Sequence, residues 1–289
     1  MTKNKTPSLS FEIFPPKTQI GNQKMLQILN DLQQLSPDFI SVTCSNTKGS
    51  FESTTIKLAD YIQNQLNIPT VTHLPAAYLT KIEVATILDH LNQLNIKNIL
   101  ALRGDILPEE PAKDDFKYAS DLIDFIQAKQ PDFKISGACY PEIHPDSANR
   151  ITDIQNLKQK VDAGCNELIT QLFFDNELFY DFQEKCQLAN INVPILAGIM
   201  PIINRNQALR LIKTSEAKLP RKFLAILEKY EHDPIALRDA GIAYAIDQIV
   251  DLVTQDSAGI HLYTMNHAET ANQIVAATAS LFHKQKMIS

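Results

Sequence analysis

SFEIFPPK, residues 10–17, is a short β-forming run that carries one carboxylate, Glu12, and is stopped by two consecutive prolines. A charge inside an apolar strand costs on the order of several kcal/mol unless it is paired, protonated or set at the mouth of a site. The run therefore reads as a strand that delivers an acid to a site.

Working outward, further β-branched or apolar runs fall at 39–44, 70–73, 98–102, 134–139, 167–172, 194–199 and 260–263. Amphipathic stretches separate them, at 22–35, 53–66, 81–94, 119–130, 151–163 and 177–189. Strand–helix alternation implies a parallel sheet covered by helices. Eight repeats predict an α/β fold, a single (β/α)8 TIM-type barrel, with an open doubly wound sheet as the alternative. In the tail, 220–230 and 234–253 read as helices, the second opened by Asp233-Pro234, and helix 268–283 follows the last strand. No low-complexity linker interrupts the chain, so one domain over 1–289 is expected.

Barrel enzymes work at the carboxyl ends of their strands. The predicted strands end at Glu12, Thr43, His73, Arg103 with Asp105, Tyr140 with Glu142 and His144, Gln171, and Tyr263 with Thr264. Any one of these could be a solvated loop residue, but a whole ring of them on one rim points to a site.

The 289 residues are 44% hydrophobic and 21% charged with a net charge of −6, which suits a globular protein and argues against nucleic acid or an anionic membrane as partner. Neither a leader nor a spanning segment is apparent, and Cys44, Cys139, Cys165 and Cys186 lack metal-type spacing, so reduced thiols in a cytoplasmic protein are expected. The eight glycines form neither GxGxxG nor a phosphate loop, which argues against a Rossmann dinucleotide site.

Four motifs remain. ALRGD, 101–105, places Arg103 and Asp105 around a glycine that permits close approach; a surface ion pair explains it equally well. YPEIHPD, 140–146, holds Tyr140, Glu142 and His144 in a rigid proline-flanked loop. Asp153, Asn156 and Lys160 share one stripe of helix 151–163, either a solvated face or a grip on a sugar or phosphate, with Gln159 read as surface. ITQLFFD, 169–175, puts Gln171 at a strand end and then Phe173 and Phe174, expected in the core.

In order and spacing these motifs, with FISVT, KYASDL, NLKQKVDAG, GIMPI and HLYTMNHAE, resemble the methylenetetrahydrofolate reductase family across nearly the whole chain. The resemblance implies a barrel with non-covalent FAD that reduces 5,10-methylenetetrahydrofolate to 5-methyltetrahydrofolate. Hydride passes from NADH or NADPH to the flavin, the oxidised nicotinamide leaves, and the folate takes its place. NADH is the donor expected of the short bacterial form. Small-molecule partners, a folate and a nicotinamide dinucleotide, and a homo-oligomeric assembly are expected.

By position, the resemblance implies that Glu12 is the general acid that protonates a folate ring nitrogen and opens the methylene bridge to an iminium ion. Asp105 matches the carboxylate near flavin and pterin. Thr43, His73, Arg103, Gly104, Asp105 and Ala119 match flavin contacts, as do Tyr140, His144, Asp153, Asn156 and Lys160. Asp105, Tyr140, Gln171, Gln207 and His267 match substrate positions. The chain departs from the family at Cys44, Ser45, Asn46 and Thr47, where an aromatic and small residues are usual. It departs again at Gln159, where a base is frequent, at Leu211, where a larger aromatic can cover the site, and at His267, where an arginine commonly holds the folate's glutamate tail. Two other readings are a metal-dependent barrel hydrolase or lyase using His73, Glu142 and His144, and a flavin- or folate-binding barrel without turnover.

Overall fold

Eight strands pair in parallel with their chain neighbours: β1 (Ser8–Ile13), β2 (Phe39–Val42), β3 (Thr70–Pro75), β4 (Asn98–Leu102), β5 (Lys134–Cys139), β6 (Glu167–Thr170), β7 (Ile195–Ile199) and β8 (Gly259–Tyr263). β8 returns to β1, with Ser10 opposite His261 and Glu12 opposite Tyr263, and closes the barrel. The computed structural model describes residues 6–16, 18–44, 54–106, 111–214 and 219–282. Lys17, Ser45, Asn46, Thr47 and His283 lie outside these.

The helices between strands are α1 (Gln19–Gln33), α2 (Ile56–Asp60), α3 (Lys81–Gln93), α4 (Ala119–Lys129), α5 (Arg150–Asp162) and α6 (Asn176–Leu188). α7 (Arg205–Thr214), α8 (Arg221–Lys229) and α9 (Pro234–Thr254) lie between β7 and β8, and α10 (Ala268–Phe282) follows β8. Local chemistry sets the starts. Thr80 and Glu83 form a capping box on α3, Asn149 accepts from Thr152 N at α5, and Asp233 accepts from Ala236 N ahead of Pro234 on α9.

One expectation is corrected and one element is new. The stretch predicted as one helix over 53–66 is α2 followed by a π-helical turn, Tyr61–Gln65. α7 has no predicted counterpart; Asn204 starts it by accepting from Gln207 N.

Side chains alternate along each strand. Leu9, Phe11 and Ile13 join the core beneath the helices, while Ser10 and Glu12 face inward and meet His261. A separate apolar cluster of Phe39, Val71, Leu100, Ile169 and Leu196 comes from five different strands. Above it Tyr263 reaches from β8 to β6, donating to Thr170 O at 2.6 Å. That path exists because position 198 is glycine: a Cβ there would sit 2.3 Å from Thr170 O and 2.7 Å from the Tyr263 ring. Gly198→Ala is expected to lower stability by about 1–3 kcal/mol, read as a reduced urea midpoint at constant m-value. A midpoint equal to wild type would mean that the barrel yields at this crossing.

Candidate active site

A cavity of about 800 Å³ opens at the carboxyl ends of the strands. Its floor is built around Glu12, which is only 7% exposed. Glu12 Oε2 lies 3.4 Å from His73 Nε2 and 3.7 Å from His261 Nε2. His261 is fully enclosed, stacked on Phe39, with Nδ1 2.7 Å from Ser10 Oγ and Nε2 3.2 Å from Ser41 Oγ. Burial, the largest influence, lowers the pKa of His73; the Glu12 carboxylate opposes this and His261 adds to it. Among the described residues, His73 Nε2 is a buried atom with no hydrogen-bond partner, on the cavity wall. Glu12 is thus fixed from behind: Thr264 Oγ1 donates to its backbone oxygen at 2.7 Å.

The wall rises through ALRGD. Gly104 has φ +89°, a conformation that suits glycine, and it brings bare backbone to the cavity. Arg103, just past β4, pairs with Asp146 in the loop after the neighbouring β5, 2.7 Å away, and exposed Asp105 stands beside it on the rim. Tyr140 and His144 meet edge to face at 4.5 Å, and burial raises the tyrosine pKa above its usual value. On α5, Asp153, Asn156 and Lys160 all line the cavity, and so does Gln159, which the sequence reading left on the surface. Lys160 Nζ donates to Ala138 O at 2.6 Å; burial lowers its pKa, and Gly137 leaves the space its chain occupies. The start of α4, Tyr118 to Ser120, supplies another wall whose first-turn N–H groups favour anions.

Thr43, Ala119 and Gln171 also line this space, so Glu12 and Asp105 share it with every expected flavin-site residue. Gln171 is exposed on the rim, its side-chain oxygen accepting from Leu172 N. Gln207 and His267 fall outside the lining: Gln207 is bonded to Ile203 N and Pro201 O, and His267 is exposed at the start of α10. Leu211 packs against the cluster of Phe174, Phe223 and Tyr263. Sequence reasoning missed His261, Ser10 and Ser41. The available signal was strand alternation, since Ser10 and His261 sit two residues before Glu12 and Tyr263.

Among the described residues no three His, Cys, Asp or Glu side chains are grouped to hold a metal ion, so the metal-dependent reading lacks a site. Nor is any described helix long and apolar enough to cross a membrane. A closed parallel barrel with an acid, cations and hydroxyls gathered at its carboxyl rim defines a (β/α)8-barrel enzyme.

Comparison with known proteins narrows the class. A family model described as methylenetetrahydrofolate reductase matches residues 1–279. The 5,10-methylenetetrahydrofolate reductases of Escherichia coli (strain K12) and Salmonella typhimurium are each 34% identical over 267 residues, which is 92% of this chain and 89% of theirs. That of Pectobacterium carotovorum is 32% identical over 92% of this chain and 88% of its own. An uncharacterized Clostridium thermocellum protein, described as binding two copies of 5-methyl-5,6,7,8-tetrahydrofolic acid, shares the fold at TM-score 0.67 over 96% of both chains, with 15% identity. The chain belongs to the methylenetetrahydrofolate reductase family.

His73 gives the site a pH signature. Its folded-state pKa lies below 6.5, so the unfolded chain takes up this proton first as pH falls. Stability should therefore fall on acidification through the window below about pH 6.5, by at most ~1.4 kcal/mol per pH unit from this group. Urea denaturation of His73→Gln should give a flatter acid limb; equal slopes would show that His73 is protonated in the folded state as well.

Proposed function

We infer that this enzyme reduces 5,10-methylenetetrahydrofolate to 5-methyltetrahydrofolate, with NAD(P)H as electron donor and non-covalent FAD as carrier, the chain working as one FAD-binding barrel domain. The observation that carries the reading is the sharing of one cavity by Glu12 and Asp105 with Arg103 and Lys160.

The residues present fit the flavin. The orphaned His73 Nε2, the backbone at Gly104 and the hydroxyl of Thr43 offer polar contacts deep in the cavity. Arg103, Lys160 and the start of α4 suit an anionic bridge, and Asp153 and Asn156 suit hydroxyls of a sugar or polyol chain. Tyr140, His144 and Ala119 complete the wall. Bound FAD would supply two-electron storage, accepting a hydride from the nicotinamide and releasing it to the folate.

The protein's own contribution is acid–base and electrostatic. Glu12 is the proton donor to the folate ring nitrogen whose C–N bond opens. Its position on the cavity floor keeps water from competing for that proton. Opening the ring creates a cationic iminium, which the Asp105 carboxylate on the same wall stabilises. Gln171 and Tyr140 are available at the rim to orient the pterin or the nicotinamide in turn. NADH is the proposed physiological donor. Gln207 and His267 remain candidates for outer parts of the folate, beyond the cavity proper.

Only the second half of the cycle needs an acid. Glu12→Gln should therefore retain bleaching of the flavin by NADH under anaerobic conditions. It should lower the folate-reduction rate by about 10²–10⁴-fold. Equal loss in both halves would make Glu12 a structural residue, and a flavin bleached by neither NADH nor NADPH would make the protein a binding module.

A further inference from the structure

We propose that Arg150 is a positioning residue that latches the loop carrying Tyr140 and His144 against α5 and thereby sets the affinity for FAD. The proposal rests on the flavin reading of the cavity and extends it to a residue that does not line the cavity.

Arg150 is the first residue of α5. Helix physics argues against a cation there, because the N-terminal end of a helix carries positive potential. The partners explain the placement. Nη1 donates to Tyr140 O at 3.2 Å and to Glu142 O at 3.0 Å, and Nη2 donates to Pro141 O at 2.6 Å. Three successive carbonyls converge on one guanidinium. Nη1 also lies 3.3 Å from Asp153 Oδ2, while Asp153 Oδ1 accepts from Ser147 Oγ at 3.2 Å. Both ends of the 140–147 loop are therefore tied to the first turn of α5. The Arg150 and Asp153 side chains are only 19% and 12% exposed, so water screens these bonds weakly.

The loop needs such a device. Pro141 and Pro145 contribute no N–H, and the segment has no strand or helix ladder to use its carbonyls. A planar fork of donors can serve several carbonyls at fixed angles, whereas a lysine ammonium is a point charge on a flexible stem. The loop so held carries Tyr140, His144, Asp146 and Ser147, all on the cavity wall, and the latch also fixes Asp153 from below. Without it, binding FAD would have to order the loop, and the entropy of ordering would weaken affinity.

The test is FAD titration of the apoprotein by quenching of flavin fluorescence. Arg150→Ala should raise the Kd by about tenfold or more, and Arg150→Lys should recover little of the loss. Methylguanidinium added to Arg150→Ala should restore part of the affinity, which a general loss of stability would not allow. Asn149→Ala is the control, since it removes the bond from Thr152 N to Asn149 Oδ1 at 3.0 Å and weakens the helix start without touching the guanidinium. It should leave the Kd within about twofold.

An Arg150→Ala Kd equal to wild type, an equal rise in Asn149→Ala, or no rescue by methylguanidinium would overturn the proposal. Limited proteolysis of the apoprotein reads the latch without FAD. Cleavage within 140–149 should be several-fold faster in Arg150→Ala than in wild type, and equal rates would also overturn it. Failure of the wild-type protein to take up FAD would sink the flavin reading instead, leaving the proteolysis to decide the latch.

Discussion

A carboxylate enclosed by protein has to be matched by partners that come from elsewhere in the chain, and Glu12 is matched only when the barrel is closed. His73 comes from β3, His261 from β8, and the serines that hold His261 from β1 and β2. The seam between the first and last strands is reinforced just past the acid. Asn266 accepts from Phe14 N and donates to Phe14 O, both at 2.9 Å, so that a side chain stands in for a strand edge. Met265 and Asn266 take left-handed backbone, φ 51° and 60°, to make this turn. Strain of this kind persists only where surrounding bonds hold it, and here those bonds surround the acid.

The charged groups of the site are held by partners within the protein. At the floor lie one carboxylate and two imidazoles, of which His73 is pushed toward its neutral form by burial. Elsewhere on the lining Arg103 pairs with Asp146, Lys160 donates to Ala138 O, and Asp105 and Asp153 add two further carboxylates. In the function proposed above, the same floor would serve two reactions in turn. On the proposed reading, hydride arrival needs no proton from the protein, whereas opening of the folate ring does, so the acid would affect one half only.

Much of this was legible in the residues because it depends on local periodicity. Strands recur at regular spacing, and β4 and β5 have the bounds predicted, Asn98–Leu102 and Lys134–Cys139. The polar stripe of α5 follows from helical spacing, and Glu12 stands out as a charge in an apolar run. What escaped was non-local or weakly patterned. α7 was passed over although Ala208, Leu211 and Ile212 stand at helical spacing; it is started by Asn204, and Ala208 and Leu211 join the cluster of Phe174 and Phe223. His261 looked like any strand histidine until β8 was seen to pair with β1. Gln171, read at a strand end, is exposed on the rim, its oxygen satisfied by the adjacent backbone. Gln207 and His267 were assigned by resemblance alone, and no local spacing bears on whether such positions reach the cavity.

The inner face of the barrel also explains why so polar a site can be tolerated. Phe39, Val71, Leu100, Ile169 and Leu196 form a dry apolar layer on which His261 stacks. Burying that layer offsets part of the unfavourable burial of Glu12, His73 and His261 just above it. Substitutions in this layer would therefore reach the chemistry without touching a ligand, since a cavity opened beneath His261 would let the imidazole tilt away from Ser10 and Ser41. Stability and reactivity meet at the Phe39–His261 stack, where the apolar floor holds the ring that stands behind the acid.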